Sequence, residues 1–188
     1  RMHDPEVVRA FCLQAREAGL PVVFDEVMTG FGRTGSMFAF ERVGFVPDLI
    51  TLGKGLSGGV LPLAATVVGR NWCEPWRSPE RARMLFHGHS FTANPLACAT
   101  GRAGLREFES GRALAGASRI EEVFRALAAE VWPGRVRSVR STGTILALDL
   151  EPRPGAEGAE GYLSERRGAV IAAARAEGVL LRPLGDVV

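Results

Sequence analysis

Two short apolar runs, Pro21-Val22-Val23-Phe24 and Asp48-Leu49-Ile50-Thr51-Leu52, each end in residues able to do chemistry. The first runs into Asp25-Glu26 and the second into Gly53-Lys54-Gly55. Runs this short, apolar or β-branched and bounded by turn residues, predict buried strands. Between them, Thr29 to Gly35 is glycine-rich and predicts a tight loop, while Met37 to Val43 has room for one or two helical turns before Pro47. Ahead of them, Asp4-Pro5-Glu6 is a helix opening, with Asp as N-cap, Pro preset at the first helical position and Glu at the positive end of the dipole. Val7, Val8, Phe11, Leu13, Ala15 and Ala18 continue it at roughly helical spacing until Gly19. A helix followed by strands with glycine-rich connections is the pattern of an α/β sheet, whose ligands sit beyond the carboxyl ends of the strands. Asp25 and Lys54 both occupy that position and are expected to face one cavity.

Downstream, Leu61 to Val68 predicts a third strand and Asn71 to Arg77 a short helix. Asn94 to Glu109 predicts a helix capped by Asn94 with Pro95 at its first position. The helical signal returns from Ala113 to Val131 through Ile120, Val123, Phe124 and Leu127, and Pro133-Gly134 stops it. Val136 to Val139 and Thr144 to Leu150 predict two strands around Gly143, and Glu151 to Gly161, rich in Pro, Gly, Ala and Glu, predicts a flexible surface loop. A last helix, about Leu163 to Glu177, and a strand, Val179 to Arg182, complete the pattern. A boundary near Gly111 divides a sheet-based front, residues 1–111, from a smaller α+β back, residues 112–188. No internal repeat is present.

With 188 residues, 46% of them hydrophobic and 23% charged, the chain has material for one or two packed units, which excludes disorder and collagen-like structure. A net charge of +2 gives no basis for a nucleic-acid groove or an anionic membrane surface. The longest apolar stretches, such as Val60 to Val68, fall short of the ~20 residues that a membrane-spanning helix needs, and no charged-then-apolar leader opens the chain. Cys12, Cys73 and Cys98 are odd in number and widely spaced, with no C-x-x-C pair, which argues for a reducing compartment and against a disulfide framework or a zinc site. We therefore expect a cytoplasmic protein whose partners include neither nucleic acid nor membrane. The chain opens on Arg1 rather than methionine and stops just after a strand-like run, so a piece of a longer protein is expected.

Lys54 is the only lysine among 23 basic residues, the others all being arginine. Under such a bias an ordinary surface cation is expected to be Arg, whereas a primary amine that loses its proton and attacks a carbonyl has to be Lys. A carboxylate and an amine at adjacent strand ends suit pyridoxal phosphate: the lysine forms a Schiff base with the aldehyde, and the aspartate pairs with the protonated ring nitrogen. The released lysine then carries a proton between carbons. A structural Asp–Lys ion pair satisfies the same spacing, so spacing alone leaves both readings open.

The residues around the pair are more specific. Asp25-Glu26-Val27-Met28-Thr29-Gly30-Phe31-Gly32-Arg33-Thr34-Gly35, Pro47-Asp48, Leu52-Gly53-Lys54-Gly55-Leu56-Ser57-Gly58-Gly59 and Phe91-Thr92-Ala93-Asn94-Pro95-Leu96-Ala97-Cys98-Ala99 resemble the signature of the class III (subgroup II) pyridoxal-phosphate aminotransferases, over most of residues 1 to 100. The resemblance implies a fold-type I transferase, with residues 1–111 the later part of the large mixed-sheet domain and 112–188 an incomplete C-terminal small α+β domain. It implies pyridoxal 5'-phosphate as cofactor, with Lys54 bonded to it, Asp25 on the ring nitrogen and Val27 against one face of the ring. His89 and Ser90 would reach the cofactor phosphate of the neighbouring subunit in a homodimer, a hydroxyl and backbone N–H groups being suitable phosphate donors. Gly88 would offer backbone to the substrate, and Arg182, in Val179-Leu180-Leu181-Arg182-Pro183-Leu184-Gly185, would bind the substrate carboxylate through its bidentate fork. The family commonly has Pro-Thr where this chain has His89-Ser90; Ser90 keeps the hydroxyl.

Within the family, Arg1-Met2-His3-Asp4-Pro5 and His87-Gly88-His89-Ser90-Phe91 look most like the branch that takes S-adenosylmethionine as amino donor and 8-amino-7-oxononanoate as acceptor in biotin biosynthesis. Members acting on acetylornithine, 4-aminobutyrate, ω-amino acids or glutamate-1-semialdehyde are the alternatives. So is a non-catalytic binding or dimerisation module, because the family's aromatic ring-stacking residue and glycine-serine phosphate loop have no counterpart in these residues.

Other features carry less. His87-x-His89 has no third ligand placed by spacing, so no metal site is expected. Gly30 to Gly35 ends in Ser36 rather than Lys-Ser or Lys-Thr, and Gly53-Lys54-Gly55 lacks the upstream glycine, so neither is a nucleotide P-loop. Trp72, Trp76 and Phe86 are expected in a core or interface, and Cys98 is expected buried and inert on a helix face.

Overall fold

The computed structural model describes residues 2–130, 134–151, 164 and 166–188. The described part divides into two compact units, Arg1–Ile120 and Glu121–Val188.

The first unit opens with α1 (Pro5–Glu17), which forms for the reasons its sequence states: the Asp4 side chain accepts a hydrogen bond from the Glu6 amide at 2.9 Å, and Pro5 occupies the first turn. Its inner face packs on the following strand, and Cys12, Val22 and Phe45 form a buried cluster flanked by Val8, Ala15, Phe24 and Val43. Strand β1 (Val23–Asp25) is followed by α2 (Ala39–Val43), β2 (Leu49–Leu52) and β3 (Ala65–Val68). β2 is central, parallel to β1 and antiparallel to β3. The mixed sheet therefore ends β1 and β2 at the same edge. The register is pinned where the strands begin: Asp48 Oδ2 accepts from the Val22 amide at 2.8 Å.

β3 starts at Ala65, later than the expected Leu61, because Ala65 already pairs with Leu52, the last residue of β2. Residues 61–64 have no strand beside them, and the Leu61 carbonyl instead accepts from Ser57 Oγ at 2.6 Å. A short helix α3 (Arg70–Cys73) and single 3₁₀ turns follow. Helix α4 (Pro95–Glu109) is capped by Asn94, whose side chain accepts from the amides of Leu96 and Ala97 at 2.9 and 3.3 Å. Gly111, at φ +74°, turns the chain into α5 (Arg112–Ala129), and the division between the two units falls inside this helix.

The second unit contains the antiparallel hairpin β4 (Val136–Thr142) and β5 (Ile145–Leu150), then α6 (Arg166–Ala176). The strand expected at Val179 to Arg182 does not form among the described residues. The segment that pairs lies further on: Leu148 and Val188 exchange backbone hydrogen bonds at 2.7 and 2.9 Å, and the Leu150 amide donates to Asp186. That edge of β5 is taken by 186–188, and Val179 to Arg182 pairs with no strand among the described residues, with Leu180 85% exposed. Residues 152–161 of the expected surface loop, and the start of the last helix, lie outside the described residues.

Three further expectations are corrected. Cys98 is exposed. Trp72, Trp76 and Phe86, expected in a core or an interface, are exposed on this chain, which removes the core placement alone. The strand runs are only half-buried, Val22 and Leu52 being the enclosed residues and Val23 exposed. Among the described residues no helix is long and apolar enough to cross a membrane.

Candidate active site

Parallel pairing sets Asp25 opposite Thr51 in the β1–β2 register. Asp25 closes β1, and its carboxylate is exposed rather than sunk in the sheet. Oδ1 accepts from the Val27 amide at 3.1 Å, closing a turn over the strand end, and from Thr51 Oγ1 at 2.9 Å. The Val27 amide, then the Thr51 hydroxyl and the nearby Lys54 cation, hold Asp25 below the usual carboxylate range and outweigh its partial desolvation.

β2 ends one residue before Gly53, which is extended (φ −170°), and Lys54 starts a single 3₁₀ turn, Lys54–Leu56. Lys54 has φ +40°, a left-handed conformation that a side chain adopts only at a cost. It is exposed, and its charge is felt at Asp25 without a hydrogen bond between the two. Val27 lies beside the same turn: a Cβ at Gly53 would sit 3.4 Å from Val27 Cγ1. Asp25, Val27 and Lys54 are thus gathered at one sheet edge by two strands and two tight turns.

The turn is braced from below. A Cβ at Gly55 would lie 2.7 Å from Phe31 Cβ, so Gly55 is where the Lys54 turn meets the aromatic layer. Phe31 itself is left-handed (φ +61°), its amide donating to the Met37 carbonyl at 2.7 Å, and its ring packs on Phe38 and Phe108, each 5.7 Å between centroids. On the other side α4 approaches through Gly101 and Gly104, whose Cβ positions would lie 3.6 and 3.3 Å from the Leu56 carbonyl oxygen. Beneath the next loop Glu26 is fully buried: its carboxylate accepts from the Phe40 amide at 2.9 Å and from the Thr29 hydroxyl. Thr51, Phe31, Gly55, the Gly101/Gly104 face and Glu26 went unassigned in the sequence reading. The glycines and the second acid of Asp25-Glu26 were visible signals, but a left-handed Phe has none.

The remaining candidates are placed elsewhere. Gly88, His89 and Ser90 lie in an exposed segment between the 3₁₀ turns and α4. His89 is locally ordered, its amide donating to Thr92 Oγ1 at 2.8 Å and its Nδ1 accepting from the Phe91 amide at 3.1 Å. Among the described residues none of the three is hydrogen-bonded to Asp25 or Lys54. Arg182 belongs to the second unit, exposed just ahead of the fully buried Pro183. Among the described residues no three His, Cys, Asp or Glu side chains are grouped to hold a metal. An open cavity of about 410 Å³ borders Arg16, Asp48, Arg70 and Trp72, at the opposite end of β2 from Lys54.

Comparison with known proteins adds to this geometry. The profile of the family described as aminotransferase class-III matches residues 2–188. The chain is 40% identical, over its whole length and 43% of the relative's, to an adenosylmethionine-8-amino-7-oxononanoate aminotransferase of Synechococcus elongatus. It is 41% identical to an enzyme of the same name from Geobacter sulfurreducens, over 89% of this chain and 37% of that one. It is 36% identical to an omega-aminotransferase of Caulobacter vibrioides, over 97% and 40% respectively. Among solved structures, adenosylmethionine-8-amino-7-oxononanoate aminotransferase from Methanocaldococcus jannaschii superposes with a TM-score of 0.77 at 29% identity, over 96% of this chain and 42% of that one. A Bacillus anthracis aminotransferase superposes at 0.82 and 24% identity, over 99% and 43%, and shows the fold. The chain spans less than half the length of these relatives.

Proposed function

The chain belongs to the class-III aminotransferases, and from that premise we propose that it carries the lysine-bearing part of an enzyme that transfers an amino group from S-adenosylmethionine to 8-amino-7-oxononanoate, giving 7,8-diaminononanoate for biotin synthesis. The observation that carries the catalytic reading is the sheet edge itself, where two parallel strands bring an ionised carboxylate and the chain's single lysine to one side. Two relatives at 40% and 41% identity that bear this substrate name support the choice of substrate.

The residues fit pyridoxal phosphate. Asp25 is open to solvent with its charge held, as a partner for a ring N–H must be, and the left-handed turn lifts Lys54 clear of the sheet. The missing side chain at Gly53 keeps room beside Val27. When bound, the cofactor supplies an aldehyde that takes up amines and a ring that stores an electron pair. Asp25 holds the proton at the ring nitrogen. Val27 supports one face of the ring. Lys54 would be the amine that holds the cofactor and, as a free amine, the base that takes and returns the substrate proton. Arg182 takes the acceptor carboxylate, and the Gly88 backbone lines the substrate path. His89 and Ser90 would donate to the cofactor phosphate across a homodimer interface, from a turn held by its own bonds to Thr92 and Phe91. In this reading residues 1–111 are the later part of the cofactor domain and 112–188 part of the small domain, in a cytoplasmic enzyme.

The test is the visible spectrum of the full-length protein containing this chain, loaded with pyridoxal phosphate, before and after S-adenosylmethionine. A cofactor band lost on adding that donor and restored by 8-amino-7-oxononanoate is the expected result. A band moved only by glutamate or an ω-amino acid transfers the assignment to a sibling, a reading that the Caulobacter relative favours. No band at all overturns the aminotransferase reading.

A further inference from the structure

We propose that Thr51 is a positioning residue for the reaction: its hydroxyl and the Val27 amide both engage Oδ1 of Asp25, and this leaves Oδ2 as the oxygen presented to the cofactor ring nitrogen. The proposal rests on the pyridoxal-phosphate reading above.

A carboxylate at the end of a strand rotates about its last bond, and a rotating carboxylate offers its ring partner no fixed oxygen. Here two donors from two different elements converge on one oxygen. Val27 N belongs to the turn that leaves β1, and Thr51 Oγ1 belongs to the neighbouring strand β2. Their distances, 3.1 and 2.9 Å, are ordinary hydrogen bonds, and together they fix both the plane of the carboxylate and which oxygen is spent. Thr51 reaches Asp25 because the parallel register makes the two residues partners, so the pairing of the strands sets the orientation of the carboxylate. Lys54, three residues further along the same strand exit, is the charged group that acts on Asp25. The adjacent Glu26 carboxylate is turned away into the loop, bonded to Phe40 and Thr29, and does not compete for these donors.

A hydrogen bond to a charged group is among the stronger ones, and losing it also frees the carboxylate to rotate. Thr51→Val keeps the β-branched shape that suits a strand and deletes only the hydroxyl; Thr51→Ser restores the hydroxyl. Two readouts on the full-length protein decide the matter. The first is the titration midpoint of the Asp25 carboxyl, followed by carbon NMR without cofactor. It should move up toward the ordinary aspartate value in Thr51→Val and return in Thr51→Ser. The second is the dissociation constant for pyridoxal phosphate, which should rise about tenfold in Thr51→Val and recover in Thr51→Ser. An unchanged midpoint in a folded Thr51→Val protein overturns the proposal, as does a moved midpoint with unchanged affinity, or a Ser variant that behaves like Val. A wild-type protein that takes up no pyridoxal phosphate, while its Asp25 midpoint still depends on Thr51, overturns the functional reading and with it the role in positioning. The hydrogen bond itself would survive that outcome.

Discussion

Asp25 and Asp149 both sit in strands, both lie below the usual carboxylate range, and are built in opposite ways. Asp149, in β5, is buried in the hairpin of the second unit and has both oxygens occupied. The Arg140 guanidinium bonds to both of them, at 3.0 Å to Oδ1, and Ser138 Oγ donates to Oδ2. Asp25, at the end of β1, is exposed, and the two donors it has share a single oxygen. A buried carboxylate with both oxygens engaged inside the fold has little to offer a ligand. An exposed one with an oxygen that takes no hydrogen bond among the described residues, near the chain's only lysine, has that oxygen to offer. The contrast separates a structural acid from a chemical one more sharply than the direction of the pKa shift, which is the same for both.

If the first unit is where the chemistry resides, Lys54→Arg should have the largest effect. Arginine keeps the positive charge beside Asp25 but cannot form a stable bond to an aldehyde. Turnover of the full-length enzyme should fall by about 10⁴-fold or more, the visible band of the lysine-bound cofactor should be absent, and the melting temperature should stay close to wild type. Retained turnover would remove Lys54 from the mechanism.

The comparison itself is broken or kept by making the same substitution twice. Asp25→Asn should lower turnover by roughly 10²- to 10³-fold, the scale on which one electrostatic partner of a reacting group acts, with stability changed by no more than about 0.5 kcal/mol. Asp149→Asn should do the reverse. Activity measured on the folded protein should be little changed, while denaturant unfolding followed by a probe in the hairpin should show a loss of about 2 kcal/mol. That figure sits below the range for a fully buried pair because the Arg140 side chain is 37% exposed and water screens it. Equal stability losses in the two variants would erase the distinction.

The two regions were not equally legible. The caps of α1 and α4, the strand ends at Asp25 and Lys54, and the hairpin around Gly143 are written in local chemistry: a side chain that bonds amides two or three residues on, a proline preset for the first turn, a glycine at φ +52°. Such signals need no knowledge of the rest of the chain. Thr51 could be read only as a strand residue, because its meaning comes from the parallel register with Asp25, a contact between segments. The same holds for Gly101 and Gly104, whose value appears only when α4 lies on the Leu56 carbonyl. The expectation of a strand at Val179 to Arg182 failed for a related reason: β-branched and apolar composition states that a segment can pair, and here 186–188 took the edge of β5. Cys98, and the core placement of the tryptophans, failed because residue type gives the average burial of a side chain and not its position on a helix or loop.

The open site is held up by tight packing, and Gly55→Ala should show it. The added methyl would meet Phe31 Cβ at 2.7 Å and Cδ2 at 2.8 Å, against an aromatic fixed by a left-handed backbone and by Phe38 and Phe108. Relief requires moving either that ring or the Lys54 turn. We expect a stability loss of about 1–2 kcal/mol together with weakened cofactor uptake, a combination that neither Asp149→Asn nor Asp25→Asn produces. Gly58→Ala, where no atom lies within 4 Å but φ is +62°, separates steric conflict from backbone strain. It should cost stability without weakening uptake to the same extent.

The smallest effect concerns pH. Asp149 is depressed first by its hydrogen bonds from Arg140 and Ser138. A group whose folded value lies below its unfolded one contributes stability that is complete above the unfolded value, about 3.9 for aspartate, and is lost as pH falls through the folded value. Between pH 7 and pH 5 the contribution of the pair should therefore be flat. Below pH 4 it should decline, and the gap in unfolding midpoint between wild type and Asp149→Asn should narrow, since the wild-type carboxyl is then being neutralised as the variant already is. Comparing the two proteins cancels the other carboxylates that titrate in the same range. A gap that stays constant down to the folded value would mean that Asp149 holds the hairpin by shape and neutral hydrogen bonding, and that its likeness to Asp25 in charge is incidental. A gap that narrows as expected leaves the two aspartates with one electrostatic condition, met in the hairpin by an arginine and at the sheet edge by a threonine, a backbone amide and a lysine.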